Sequence, residues 1–126
     1  MKFPEDRKYT TNHEWIRVEG SVGVVGITDY AQSELGDIVY IELPDIGTKV
    51  EQGKSFGTIE AVKAVSDIFA PVSGEVVETN TEMKDHPEIV NKDAFGQGWM
   101  VKITMSDSAQ VNSLLDVHAY KTLVGK

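Results

Sequence analysis

The chain has 126 residues, a formal charge of −8 and a pI near 4.8, with 40% hydrophobic and 25% charged residues. Those values describe one globular domain large enough to bury a core without covalent staples. They disfavour a basic nucleic-acid interface, and the lack of any cysteine excludes a disulfide framework, a thiolate metal site and a thiol nucleophile.

In chain order, residues 1–8 are polar and are expected to be loosely ordered. Trp15, Ile16 and Val18, then Glu19-Gly20-Ser21, then Val22, Val24, Val25 and Ile27 predict a β-hairpin. Thr28 has the chemistry of a helix N-cap and Asp29 suits the first turn, with Gly36 as the stop, so a short helix is predicted over 29–35. Ile38, Tyr40 and Glu42 alternate with Val39, Ile41 and Leu43, which predicts a strand with two distinct faces. Turns follow at Pro44–Gly47 and Glu51–Gly53. Lys54–Glu60 and Asp67–Ala70 read as strands on either side of Ala61–Val65, and another strand starts at Glu75. Thr79–Pro87 reads as an acidic loop and Trp99–Met105 as the last strand. From 107 to 126 the apolar spacing becomes helical, with Asp107 and Asp116 both placed to cap, so the tail divides into two short helices. The sum is a single mainly-β domain over 1–126: a flattened barrel or sandwich with an early helix and a helical tail.

The segment Gly57–Asp67 carries the chemistry. It sets Lys63 between small and apolar neighbours at the expected bend of two strands. A lysine at such a tip is exposed and sterically open, which is what an enzyme needs to acylate its amine. Most lysines are merely solvated, so the tip alone leaves lipoyl, biotinyl and unmodified readings open.

Glu60-Ala61-Val62-Lys63-Ala64-Val65-Ser66-Asp67 resembles the lipoyl-lysine loop of the glycine cleavage H-protein family. The likeness extends to Tyr9-Thr10 with His13-Glu14-Trp15, to Val25–Gln32 with Leu35–Val39, and to Pro87–Asn91 with Gly98-Trp99-Met100. It covers nearly the whole chain. Ala61 stands where the family commonly has Ser, and Asn12 where some members have Ser.

The resemblance implies the lipoyl/biotinyl-type fold of two antiparallel sheets and a lipoyl group amide-linked to Lys63. It implies a carrier and not an enzyme. The carrier takes an aminomethyl group from a glycine decarboxylase (P protein) to an aminomethyltransferase (T protein). A dihydrolipoyl dehydrogenase (L protein) reoxidises the arm, and a lipoyl-attachment enzyme installs it. It further implies a monomer that meets its partners transiently. Glu14 and Asp67 match positions lining a cleft for the loaded arm, with Asn12 a further hydrogen-bonding candidate. The competing role for Glu14 is a solvated residue on an outer strand face, and for Asp67 a strand-edge charge. Biotin carriers usually flank their lysine with Met, where this chain has Val62 and Ala64. Lipoyl domains of 2-oxoacid dehydrogenase acyltransferases are shorter and usually have Asp before the lysine. An unmodified β-sandwich interaction module is the alternative from another class.

His13, His86 and His118 lack metal-ligand spacing, and Ser66 and Ser73 lack a visible His–Asp partner set. Trp15 and Trp99 read as core anchors. No apolar run approaches the ~18 residues that span a bilayer. The N-terminus has neither a signal core nor a transit-type composition, so a cytoplasmic location is expected, or the mitochondrial matrix for a mature eukaryotic chain.

Overall fold

The computed structural model describes residues 1–126. Two antiparallel sheets form the frame. The elements in order are β1 (Lys8–Tyr9), β2 (Glu14–Glu19), β3 (Val22–Ile27), α1 (Asp29–Leu35), β4 (Ile38–Glu42), β5 (Lys49–Val50), β6 (Ser55–Ala61), β7 (Val65–Phe69), β8 (Gly74–Thr79), α2 (Glu82–Asp85), α3 (Ile89–Lys92), β9 (Val101–Met105), a 3-10 helix (Ser108–Ser113) and α4 (Val117–Leu123). Six strands pair in the order β1-β2-β3-β9-β8-β5, and three in the order β4-β6-β7. No helix is long and apolar enough to cross a membrane.

Local chemistry explains the elements the sequence predicts. In the β2–β3 hairpin Glu19 pairs with Val22, so Gly20-Ser21 is a two-residue turn, and Gly20 has the positive φ of 63° that such turns favour. The Thr28 hydroxyl accepts from the Ala31 N–H, and Gly36 ends α1 at φ 79°. Asp107 accepts from the Ala109 N–H and Asp116 from the Ala119 N–H, so each carboxylate starts its own short helix.

Several expectations are corrected. The clean alternation over 38–43 fails because the register of β4 against β6 shifts between Ile38 and Tyr40. That bulge buries Ile38 and Ile41 and leaves Val39 and Tyr40 outside. The acidic loop over 79–87 contains α2, since Met83 turns into the core and needs a helical turn to reach it. The N-terminal segment makes contacts with the body of the fold. Arg7 donates to the Phe95 carbonyl and lies 4.5 Å from the Trp15 ring centroid, while the Tyr9 hydroxyl donates to the Pro4 carbonyl. Trp99 is only partly buried, with the Lys102 ammonium 5.2 Å from its ring.

The apolar residues form three packed groups. Ile27, Ile41, Ile59 and Ile68 meet Met83 and Val90 of the short helices. Ile16, Val25, Val76 and Ile103 pack together with Val72 and Val101. Tyr9, Trp15, Val24, Phe95 and Tyr120 make an aromatic group that joins the two ends of the chain. Trp15 is fully buried and its indole N–H donates to the Ala94 carbonyl at 3.0 Å. Its strand partner is Gly26, where an added Cβ would sit 2.7 Å from the indole. Gly26 is therefore a packing glycine inside a strand and not a turn marker.

Candidate functional site

The β6–β7 hairpin places Lys63. Glu60 pairs with Val65, and beyond them the Ala61 N–H donates to the Ala64 carbonyl at 2.8 Å. Val62 and Lys63 are left as the apex. The Val62 N–H turns aside to the Asp37 carbonyl at 3.0 Å, which ties the apex to the segment between α1 and β4. Val62 is 76% and Val65 69% exposed, and Lys63 is exposed between them. Its ammonium has no ion-pair partner. Its stem lies near Gly36, where an added Cβ would sit 3.5 Å from Lys63 Cε. The amine is accessible, unpaired and on a short anchored turn, an arrangement open to acylation.

The second part is a cleft of about 190 Å³ lined by the Thr10–Asn12 turn, Glu14, Phe69 and the Ser113–Leu115 segment. Glu14 is only 1% exposed, so it is not a solvated residue on an outer face. Its carboxylate accepts from the Thr10 hydroxyl at 2.6 Å and from the Phe69 N–H at 3.3 Å. Burial pushes its pKa up to about 7 against the pull of these two donors. The Thr10 hydroxyl also accepts from the N–H groups of Asn12 and Glu14, so one side chain organises the whole turn. Behind it the Tyr120 hydroxyl bonds Thr28 at 2.6 Å and His13 at 3.0 Å. His13 takes the positive φ of 72° that closes the turn, and burial lowers its pKa.

Glu14 and Asn12 thus share one cleft. Asp67 does not line it. It is exposed on β7 and accepts from the Ser55 hydroxyl at 3.2 Å. Even so, Val65, Asp67 and Phe69 alternate onto one face of β7. Asp67 therefore lies between the Lys63 apex and the Phe69 N–H that meets Glu14. The strand covers roughly 13 Å from Val65 to Phe69.

Sequence reasoning missed Thr10, Phe69, Gln52 and the Ser113–Leu115 wall. Gln52 reaches the Pro71 carbonyl at 3.0 Å and the Ser113 hydroxyl at 3.3 Å, and the Gln110 side-chain carbonyl accepts from the Ser73 N–H at 2.7 Å. These bonds hold the tail against the cleft. Only the placement of Thr10 four residues before a glutamate hinted at its role.

Comparisons with known proteins agree with this architecture. The family model described as glycine cleavage H-protein matches residues 7–126. The glycine cleavage system H protein of Bacteroides thetaiotaomicron is 52% identical over 124 residues, covering 98% of each chain. That of Carboxydothermus hydrogenoformans is 51% identical over 121 residues, covering 96% of this chain and 93% of its own. The crystal structure of a glycine cleavage system H protein from Mycobacterium marinum has a TM-score of 0.90 at 39% identity, covering 98% and 99% of the two chains. A match of this length, carried by sequence and by fold alike, places the chain in the glycine cleavage H-protein family, as a carrier component of the glycine cleavage system and not an enzyme.

Proposed function

We propose that Lys63 is the attachment site of the lipoyl group that members of this family carry, and that the Glu14 cleft shelters the aminomethyl cargo. The observation that carries the reading is the position of Lys63: an exposed, unpaired lysine at a hairpin apex whose backbone is anchored from below. The residues fit the group. The amine is exposed, and no carboxylate would lose a partner when the ammonium becomes an amide.

When bound, the lipoyl group supplies a dithiolane whose sulfurs take up and release the cargo. The chain's own residues do the rest. Val62 and Val65 keep the apex free of competing charge. The outward face of β7 leads from the apex toward the cleft. Glu14 provides a buried carboxylate in a cleft that Phe69, Leu114 and Leu115 also line. A cargo ammonium entering the cleft favours the ionised carboxylate and gains a charge-assisted hydrogen bond. Asn12 adds a polar side chain at the rim. Asp67 attracts the ammonium on the way and is not a wall of the cleft. The carrier would exchange its cargo with a pyridoxal-phosphate glycine decarboxylase and an aminomethyltransferase, and its reducing equivalents with a dihydrolipoyl dehydrogenase, as a monomer in transient encounters.

The test is intact mass before and after treatment with a lipoyl-attachment enzyme and its substrates. One lipoyl addition to the wild type and none to Lys63→Arg is the expected result, because arginine keeps the charge and offers no acylable amine. Addition to the arginine variant would overturn the assignment. For the cleft, Glu14→Ala should speed hydrolysis of the methylamine-loaded carrier, and an unchanged rate would remove Glu14 from the role.

A further inference from the structure

We propose that Asn91 is a positioning residue for the Lys63 apex, acting through the backbone segment on which that apex rests. The inference builds on the reading of Lys63 as the modified lysine. Asn91 lies on α3, next to Val90, which is fully buried in the core. Its side-chain carbonyl accepts from the Ile38 N–H at 2.9 Å. Its amide nitrogen donates to the Gly36 carbonyl and to the Gln32 side-chain oxygen, each at 2.9 Å. Both amide hydrogens and one acceptor site are satisfied by three groups distant in sequence.

Two of these bonds, to Gly36 and Ile38, bracket Asp37, and the third reaches back to α1. The Asp37 carbonyl is the acceptor for the Val62 N–H at the apex. Gly36, at φ 79°, provides the bare surface near the lysine stem. A single side chain therefore holds both sides of the one segment that touches the apex through backbone and stem. Ile38 is also buried in the core and pairs with Ala61, and the Gly36 N–H bonds the Gln32 carbonyl, but Asn91 is the side chain that bonds the backbone on both sides of Asp37. The side-chain chemistry is specific. Leucine offers neither donor nor acceptor, and an ionised aspartate offers no donor and turns a negative charge toward two acceptor oxygens.

An attaching enzyme that recognises the lysine in one presentation must order a loosened apex before it can act, which weakens productive binding more than the chemical step. Asn91→Ala should therefore raise KM for the carrier in lipoyl attachment about tenfold, with kcat little changed. Hydrogen-exchange protection of the Val62 amide should fall by a similar factor, while amides of β9 keep theirs. Asn91→Asp supplies a second readout. Its Val62 protection factor should recover as pH falls and the protonated carboxyl regains a donor.

Unchanged KM and unchanged Val62 protection in Asn91→Ala would overturn the proposal. So would an equal loss of protection across β9 and Val62 in both variants, which is the signature of a purely structural role. Failure of the wild type to accept a lipoyl group would instead sink the Lys63 assignment, and the Val62 exchange data would still judge Asn91.

Discussion

The apex at Lys63 and the cleft at Glu14 lie at opposite ends of β7, one before Val65 and the other against Phe69, and their surroundings are opposite. Lys63 is exposed, with its ammonium unpaired. Glu14 is fully enclosed, and both its oxygens are engaged. The difference suits the roles proposed for them. An amine that is to be acylated by another protein has to be reached, and any fixed partner would compete. A carboxylate that is to hold a cation away from water has to be desolvated, and desolvation is tolerable only with donors in place. The cleft end is knit by hydrogen bonds among Thr10, Glu14, His13, Thr28 and Tyr120, whereas the Lys63 side chain makes none.

Substitutions can separate the two ends. The largest effect is expected for Lys63→Arg, with complete loss of lipoyl attachment and a change in unfolding free energy within about 0.5 kcal/mol, as for exposed sites generally. Mass spectrometry and denaturant titration together check both halves.

Next is Glu14→Gln, read as stability against pH. Glu14 has a folded-state pKa near 7 against an ordinary 4.5, so the folded state holds its proton more tightly than the unfolded chain. The stabilisation is complete below pH 4.5 and is lost as pH rises through 7. Wild type should therefore lose up to about 3 kcal/mol relative to the glutamine variant across that window. Parallel curves for the two proteins would show that Glu14 does not titrate as described. On the same basis, the Glu14-dependent protection of the loaded arm should increase as pH rises toward and past 7 and the carboxylate ionises.

Tyr120→Phe removes the hydroxyl shared by Thr28 and His13 and should cost about 1–2 kcal/mol by leaving buried groups short of a partner. Urea unfolding measures it, and lipoyl attachment at the distant apex should be unchanged. The smallest effect on stability is expected for Val65→Ser at the exposed side of the apex, below about 0.5 kcal/mol. Any marked change in attachment rate would then report contact with the attaching enzyme.

Much of this was legible locally. The caps at Thr28, Asp107 and Asp116, the stop at Gly36 and the turn at Gly20-Ser21 each depend on residues within three or four positions, and the chain displays them. The exposed apex at Lys63 was legible because the strand–bend–strand pattern places it there. The bulge after Ile38 was not, because it depends on the pairing of β4 with β6 across about twenty residues. Met83 and α2 were hidden by the charged residues around them. Glu14 could be placed in a cleft only through resemblance, since the Phe69 N–H it bonds and the Leu114 and Leu115 that line the same cavity are far away in the chain.

The sequence by itself determined the order and type of most elements, the lysine presented at the hairpin apex and the absence of competing thiols. Those properties follow from side-chain chemistry and short-range spacing. Only the tertiary structure decided that Glu14 is buried and bonded, that Asp67 is exposed on β7 outside the cavity Glu14 lines, and that Asn91 bonds the backbone on both sides of Asp37 from another helix. The physical reason is the same for all three: desolvation and hydrogen-bond partnership are set by groups brought together from distant parts of the chain.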